Sequence, residues 1–264
     1  MTMTQSLILA LAVSGTGLAF GIILAIAAKI FAVEQDERID QVIEALPGAN
    51  CGGCGYSGCA ALAEAIVKGE ASVNSCPVGG VEVANKIAQI MGVKSEDVIR
   101  KRSICRCAGV KDAAFDKYEY TGLQDCVAAS RLSGGQKVCQ WGCLGLGTCV
   151  RACMFGAIQI VDGVAVVDKD KCTACGLCVK ACPKSLFALI PYDAEECVLC
   201  KNQNKGAEMR NICTAGCIAC KICEKACDYD AIHVVDNIAK IDYSKCVKCG
   251  ECVKKCPKKI IRLI

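Results

Sequence analysis

The pattern of apolar and polar positions changes twice along the chain. Residues 7–33 are almost wholly apolar, with Lys29 as the one charge. About 20 apolar residues cross the hydrocarbon of a bilayer, so we expect a single amino-terminal transmembrane helix. Residues 60–68 predict a short amphipathic helix, and four short segments with alternating apolar positions farther along predict strands.

A cleaved signal peptide is the alternative for the apolar segment, supported by the small residues at 25–28. No Lys or Arg precedes Lys29, so the basic region that opens such peptides is missing. Basic residues follow the segment, as at Arg38 and Lys94, and such residues stay on the cytoplasmic side. We therefore expect a single-pass protein of the inner (plasma) membrane with a cytoplasmic body. A single helix implies contact with the lipid bilayer and with other subunits.

The alternating segments form two pairs, each interrupted by a turn signal that is typical of a β-hairpin. The pairs are 158–161 with 164–167 around Asp162-Gly163, and 232–235 with 238–241 around Asp236-Asn237.

Cysteine is the residue that decides the chemistry, with 26 in 264 residues. A single histidine, His233, excludes zinc sites made of two Cys and two His, while a four-cysteine zinc site stays open. Cysteines spaced two, two and three residues apart and followed by Pro are the pattern of bacterial ferredoxins, which bind 4Fe-4S clusters. The formal charge of +4 counts every thiol as neutral. Five clusters on thiolates would bring the net charge to roughly −6, so basicity gives no argument for nucleic acid.

The first cysteine group directly follows the apolar segment and is rich in glycine, which lets backbone amides approach sulfur. We interpret it as one 4Fe-4S site, with zinc on the same thiolates as the alternative. Its ligands are Cys51, Cys54, Cys59 and Cys76.

The remaining cysteines form an internal repeat with an offset of 74 residues, which indicates duplication. In two-cluster ferredoxins the fourth cysteine of each run binds the other cluster. Applied to the last repeat, this rule predicts one set of Cys217, Cys220, Cys223 and Cys256, and another of Cys246, Cys249, Cys252 and Cys227. The middle repeat has one regular set, Cys172, Cys175, Cys178 and Cys153.

The other set of the middle repeat is irregular, because Leu146 stands where the last repeat has Cys220. Without a substitute ligand, this cluster would have three thiolates. Cys139 can supply the fourth if the glycine-rich loop folds back. We therefore predict Cys139, Cys143, Cys149 and Cys182.

Six cysteines are left over, and the sequence leaves two alternatives for them. Buried free thiols are one, since cysteine is among the residues most often buried. A sixth cluster that uses the Cys197-x-x-Cys200 pair is the other. The six are Cys105, Cys107, Cys126, Cys197, Cys200 and Cys213.

Together these motifs resemble the B subunit of the Rnf-type ion-translocating ferredoxin:NAD oxidoreductase, in a long form with two ferredoxin-like domains. The resemblance covers the whole chain. It is carried by the apolar helix, the segment Cys51-Gly-Gly-Cys-Gly-Tyr-Ser-Gly-Cys59, the segment Gly142-Cys-Leu-Gly-Leu-Gly147 and the two later cysteine runs. Met154 and Asp228 stand where Pro often follows the fourth cysteine, which affects a turn and not ligation.

The resemblance implies an electron-transfer subunit of a translocase. Reduced ferredoxin would deliver electrons, and flavin-bearing partners would reduce NAD and pump Na⁺ or H⁺. No GxGxxG after a strand and no Walker-type loop is present, so we expect no substrate chemistry on this chain beyond electron transfer. The alternatives are the electron-relay subunit of another membrane oxidoreductase and a membrane-bound iron-sulfur sensor or scaffold.

The chain also ends in a cluster of basic residues that could steer an acidic ferredoxin. A solvated basic tail is the alternative. The residues are Lys254, Lys255, Lys258, Lys259 and Arg262.

The predicted fold class is α+β: one transmembrane helix, a small helical 4Fe-4S domain and two ferredoxin-like two-cluster domains. The predicted boundaries are 1–33 for the anchor, 34–93 for the first cluster domain, 94–125 for a linker, and 126–195 and 196–264 for the ferredoxin-like domains.

Overall fold

The computed structural model describes residues 3–30, 36–94 and 99–264, with side chains of the first helix described from position 14 to 29. Helix α1 spans Met3–Ile30. The predicted membrane segment, residues 7–33, therefore lies partly outside the described residues. Among those that are described, no helix has the length and apolarity that a membrane crossing requires.

Three helices build the small domain that follows. They are α2 at Glu37–Ala45, α3 at Cys59–Val67 and α4 at Gly80–Met91. Helix α3 confirms the helix predicted over 60–68. Val42, Leu62 and Ile87 are at most 1% exposed and form the core between the helices.

The first module, residues 126–195, is organised around a β-hairpin of β2 (Ile158–Val161) and β3 (Val164–Val167). Both turn residues have positive φ, 48° at Asp162 and 81° at Gly163, as this tight turn requires. Ile158 and Val164 pack in the core. The module also contains α5 (Cys126–Arg131), α6 (Thr148–Ala152), α7 (Leu177–Ala181) and β4 (Phe187–Pro191).

The second module, residues 196–264, repeats this arrangement. Its hairpin pairs β6 (Ile232–Val235) with β7 (Ile238–Ile241), so both predicted hairpins are confirmed. Ile232 and Ile238 lie in its core. It further contains β5 (Glu196–Val198), a 3₁₀ turn (Glu208–Asn211), α8 (Ile222–Lys225), α9 (Glu251–Lys255) and β8 (Ile261–Leu263).

Each module also has an outer pair of strands that are far apart in sequence. Strand β1 (Lys101–Cys105) pairs antiparallel with β4, and β5 pairs antiparallel with β8. Strand β1 lies inside the segment predicted as a linker, so part of that segment packs against the first module. The domain boundaries themselves stay predictions.

Arg102 on β1 joins the two modules. Its side chain is 3% exposed, and Nη2 donates to the carbonyl oxygens of Ala194, at 2.7 Å, and Ile264, at 2.9 Å. Hydrogen bonds from a buried charged donor are among the stronger ones in proteins. Residues before the first module and at the end of the second thus contact each other directly.

Candidate iron-sulfur sites

Within the described part of the chain, three cavities of about 20 Å³ each are lined by four cysteines that the spacing assigned to one cluster. In each, three thiols come from one run and the fourth comes from the other run of the same module. The sets are Cys153 with Cys172, Cys175 and Cys178; Cys256 with Cys217, Cys220 and Cys223; and Cys227 with Cys246, Cys249 and Cys252.

A residue with left-handed backbone conformation directly before a short helix positions these thiols. Gly176 (φ 78°) precedes α7 and Gly250 (φ 72°) precedes α9, so the chain turns sharply between the second and third cysteine of each run. Glycine adopts this conformation without a steric penalty. Lys221, at φ 60°, occupies the same place before α8, where a side chain makes the conformation unfavourable.

Ser103 on β1 provides hydrogen bonds to sulfur in the first module. Its backbone N–H donates to Sγ of Cys172 at 3.3 Å, and its hydroxyl lies 3.2 Å from Sγ of Cys178. Donors to sulfur stabilise the more negative, reduced form of an iron-sulfur cluster. Ser103 was not predicted as part of this site, because no motif in the sequence indicates that it contacts the cysteines.

Glu196 on β5 provides a negative charge at the corresponding place in the second module. It is 1% exposed, its Oε1 accepts from the Gly250 N–H at 3.0 Å, and its Oε2 lies 4.0 Å from Sγ of Cys246. Burial first, and the Glu196 charge second, raise the pKa of the Cys252 thiol to about 12. This residue, too, was missed from the sequence.

Of the amino-terminal cysteines, Cys51 and Cys54 lie in the loop before α3, Cys59 is the first residue of α3, and Cys76 lies in the loop before α4. The Asn50 Oδ1 accepts from the Cys59 N–H at 2.8 Å and fixes the start of α3. Burial raises the pKa of Cys76, with the nearby Cys59 and Cys54 thiols adding to the rise. Cys54, Cys59 and Cys76 all pack against the core of this domain, and Cys51 lies close enough to Cys175 to raise its pKa.

The glycines between Cys51 and Cys54 bring this domain against the first module. A Cβ on Gly53 would lie 2.7 Å from the Cys175 carbonyl oxygen and 3.1 Å from the Cys175 Cβ. The Lys180 Nζ donates to the Gly52 carbonyl oxygen at 3.5 Å. Cysteines predicted for two different clusters therefore approach each other across this contact.

The irregular set of the first module is only partly assembled. Cys143, Cys149 and Cys182 lie together around one core, and the Cys105 thiol donates to the Cys143 sulfur, which lowers the pKa of Cys143. The predicted fourth ligand, Cys139, lines a different cavity. Cys126 lies close enough to Cys149 and Cys182 to raise the pKa of both thiols.

Burial raises the pKa of several of these thiols, for example to about 11 at Cys223 and at Cys200. A buried thiolate needs a positive partner, and iron supplies one when it replaces the proton. Sulfur ligands with N–H donors and apolar surroundings fit iron-sulfur clusters. Among the described residues, no group of three or more His, Cys, Asp or Glu side chains has the geometry for a single metal ion.

Three protein families match parts of the chain. The family "Putative Fe-S cluster" matches residues 46–78, "4Fe-4S binding domain" matches residues 165–185, and "4Fe-4S dicluster domain" matches residues 216–260. These segments contain the predicted ligands of the amino-terminal site, of the second run of the first module, and of both runs of the second module.

Three relatives align with nearly the whole chain. The B subunit of the Na⁺-translocating ferredoxin:NAD⁺ oxidoreductase complex of Acetobacterium woodii is 50% identical over 91% of this chain and 73% of its own length. The B subunit of the ion-translocating oxidoreductase complex of Methanosarcina acetivorans is 46% identical over 99% of this chain and 100% of its own. The chain belongs to this family of B subunits. A third B subunit, from the proton-translocating ferredoxin:NAD⁺ oxidoreductase complex of Clostridium ljungdahlii, is 41% identical over 94% of this chain and 89% of its own.

Membership of the B-subunit family confirms the predicted resemblance. With the 4Fe-4S family matches, it identifies the chain as an iron-sulfur electron-transfer subunit of an ion-translocating oxidoreductase complex. The mixed helix-and-strand fold with ferredoxin-type domains is confirmed as well.

Proposed function

We propose that this protein accepts electrons from reduced ferredoxin and relays them toward flavin- and NAD-bearing subunits, with coupled translocation of Na⁺ or H⁺ by the complex. The observation that carries the proposal is the series of cysteine-lined cavities, each lined by one predicted ligand set. A bound 4Fe-4S cluster accepts and donates one electron at a potential set by its surroundings.

The four regular ligand sets predicted from the spacing are part of this proposal. The regular sets account for sixteen cysteines, including Cys51, Cys54, Cys59 and Cys76 in the amino-terminal domain. The contact between Gly53 and Cys175 supports transfer between that domain and the first module, because it brings a loop of one set against a loop of another.

The second module is the proposed entry point for electrons. Two of its predicted ligands, Cys220 and Cys249, are exposed at the surface. Lys221 and Lys258 line the same cavity as Cys220. A positively charged surface beside an exposed ligand favours the docking of an acidic electron carrier.

The strained backbone at Lys221 also supports the second module as the entry point for electrons. Gly147, Gly176 and Gly250 occupy the equivalent position before α6, α7 and α9. A lysine with φ of 60° has an unfavourable conformation, and such strained residues are common at functional sites. Here the strain places a positive charge beside an exposed cysteine, as a docking surface requires.

The proposal places α1 in the inner membrane as a single-pass anchor with the cluster-bearing part in the cytoplasm. Large apolar side chains of α1, including Leu18, Phe20 and Leu24, are at least 67% exposed. The apolar sequence of residues 7–33 is longer than the about 20 residues that cross the hydrocarbon core of a bilayer. Removal of residues 1–30 should release the protein from membranes during fractionation. Retention in the membrane fraction would contradict the anchor unless another subunit holds the protein there.

Charge reversal tests the docking surface. The variant Lys254→Glu, Lys255→Glu, Lys259→Glu should oxidise reduced ferredoxin about tenfold more slowly at low salt, and its rate should depend less on ionic strength. Stopped-flow absorbance of the purified protein measures both. The matched control, Lys86→Glu, Lys169→Glu, Lys205→Glu, changes the same net charge at exposed positions elsewhere and should keep the rate of the unaltered protein. Equal rates in the two variants would rule out docking at this surface.

The sequence left two alternatives, the relay subunit of another oxidoreductase and a membrane-bound sensor or scaffold, and membership of the B-subunit family argues against both. A sensor would take up electrons and hold them, whereas a relay passes them on. After reduction by ferredoxin, a relay should therefore be reoxidised in the intact complex with NAD⁺, whereas a sensor should stay reduced. If the reoxidation depends on NAD⁺, the protein is the relay of an NAD-reducing complex and not of another oxidoreductase.

A further inference from the structure

A cavity between the two modules is lined by four cysteines that the spacing rule does not group as ligands of one cluster. Its volume is about 20 Å³, the same as that of each cavity lined by a regular ligand set. Its four thiols come from four separate segments of the chain, so no local motif marks it. They are Cys107, Cys139, Cys200 and Cys213.

The sulfur atoms in this cavity receive N–H donors, as those of the regular sets do. Cys107 Sγ accepts from the backbone N–H of Gly109 and of Cys143, both at 3.4 Å. Cys200 Sγ accepts from the Cys217 N–H at 3.5 Å. Such donors favour thiolates bound to a cluster over neutral thiols.

Asn202 supplies a further donor, because its Nδ2 lies 3.2 Å from Cys139 Sγ. The side chain is 2% exposed, and its Oδ1 accepts from the Asn204 N–H at 2.6 Å, which fixes the orientation of the amide. A buried amide that is held with its N–H toward a sulfur provides a directed donor in the cavity, which Arg106 and Lys201 also line.

Glycines allow the segments around these thiols to come close together. A Cβ on Gly109 would lie 2.9 Å from the Ala114 Cβ, and one on Gly142 would lie 3.1 Å from the Cys139 Cβ. Ala114 forms a β-bridge with Cys213 that ties the segment after β1 to the second module. Backbone segments of both modules therefore surround this cavity.

We propose that Cys107, Cys139, Cys200 and Cys213 bind a sixth 4Fe-4S cluster, located between the clusters of the two modules. The site adds an electron carrier to the relay where the first and second modules meet. Cys139 then no longer belongs to the irregular set of the first module.

Cys126 completes that irregular set with Cys143, Cys149 and Cys182. The Cys126 N–H donates to the Thr148 Oγ1 at 2.7 Å, and Thr148 directly precedes Cys149, so the two cysteines are held side by side. Asp125 strengthens this link, because its carboxylate accepts from both the Thr148 hydroxyl and the Ala128 N–H at 2.9 Å. Six sets of four then leave Cys105 and Cys197 as free thiols.

Iron and acid-labile sulfide content of the anaerobically purified full-length protein tests the site. We expect about 24 iron atoms per chain, four for each of six clusters. Cys200→Ala and Cys213→Ala should each lose about four iron and four sulfide. The matched control is Cys197→Ala, which removes a buried cysteine three positions from Cys200 but outside the cavity, and it should keep all of them.

Cys200→Ala and Cys213→Ala variants with unchanged iron would overturn the proposal, as would a loss of one metal ion. If these variants lose more than one cluster, native mass spectrometry of the unaltered protein decides: six cluster masses support the site, and five refute it. The sixth cluster rests on the proposed relay, but the two proposals can fail separately. An iron content that matches five clusters would refute the sixth cluster, whereas oxidation of ferredoxin by that five-cluster protein would still support the relay.

Discussion

Ser103 and Glu196 occupy corresponding strands beside the second cluster site of each module, but they differ in charge. Ser103 offers donors to sulfur, whereas Glu196 places a buried carboxylate 4.0 Å from one. A negative charge opposes the addition of an electron, and a donor favours it. We therefore expect the two residues to give the two candidate sites different reduction potentials.

Replacement of Glu196 should raise the potential of the Cys246 site. In Glu196→Gln the charge is lost while the Gly250 contact persists, so we expect a rise on the order of 100 mV. Redox titration followed by electron paramagnetic resonance measures it. The exposed neighbour serves as the control, since Glu195→Gln should shift the potential little. A potential that is the same in both variants would show that the carboxylate does not tune this site.

Removal of the Ser103 hydroxyl should act in the opposite direction. Ser103→Ala deletes the contact with Cys178 but keeps the backbone donor to Cys172, so the potential of this site should fall by roughly 40 mV, equivalent to about 1 kcal/mol for one electron. The same titration reads the Cys246 site as an internal reference that should not move. A rise at the Cys172 site would contradict the assigned donor.

At the scale of elements, the cysteine-bearing loop before α6 depends on its close approach to a hairpin turn. Gly145 and Gly147 both have positive φ, at 71° and 76°. A Cβ on Gly145 would lie 2.6 Å from the Gly163 carbonyl oxygen, whereas one on Gly147 would have Arg151 Nη1 at 3.7 Å as its nearest neighbour. The two glycines share a conformation and differ in the space around them.

Alanine at these two positions should therefore have unequal effects. Gly147→Ala incurs the left-handed backbone cost of about 1–2 kcal/mol. Gly145→Ala adds a backbone clash of about 1–3 kcal/mol and pushes the loop from the hairpin. Denaturant midpoints for loss of cluster absorbance give the comparison. Equal midpoints would mean that the approach to Gly163 can relax.

The elements that sequence reasoning predicted are those set by local signals. The hairpins follow from alternation and from Asp162-Gly163 and Asp236-Asn237, and the regular ligand sets follow from the spacing within each run. Strands β1 and β5 could not be predicted, because each is short and pairs with a partner more than 60 residues away. The positions of Cys107 and Asn202 depend on that pairing and on the packing of the modules, which no local pattern encodes.

For the whole molecule, we expect the contact between the amino-terminal domain and the first module to set the rate of electron transfer between them. Gly53→Ala would place its Cβ against the Cys175 backbone, so we expect the two loops to separate and transfer to slow severalfold, while total iron stays unchanged. Freeze-quench paramagnetic resonance after rapid reduction follows the sites separately. Ser57→Ala, an exposed change in the same loop, should transfer at the original rate. An unchanged rate in Gly53→Ala would exclude this contact as the route.

The order in which the chain is synthesised determines when the buried Arg102 can form all of its hydrogen bonds. Its guanidinium comes from β1, but one of its acceptors is the Ile264 carbonyl oxygen, 162 residues later. Protein segments emerge from the ribosome from the amino terminus onward, so this charge stays without one acceptor until residue 264 has been made. We expect the outer strands to be secured only after translation, which leaves the cysteine loops accessible to iron delivery in the meantime. Ribosome-bound chains that lack residues 261–264 should then show less protection of β1 in hydrogen exchange than released chains.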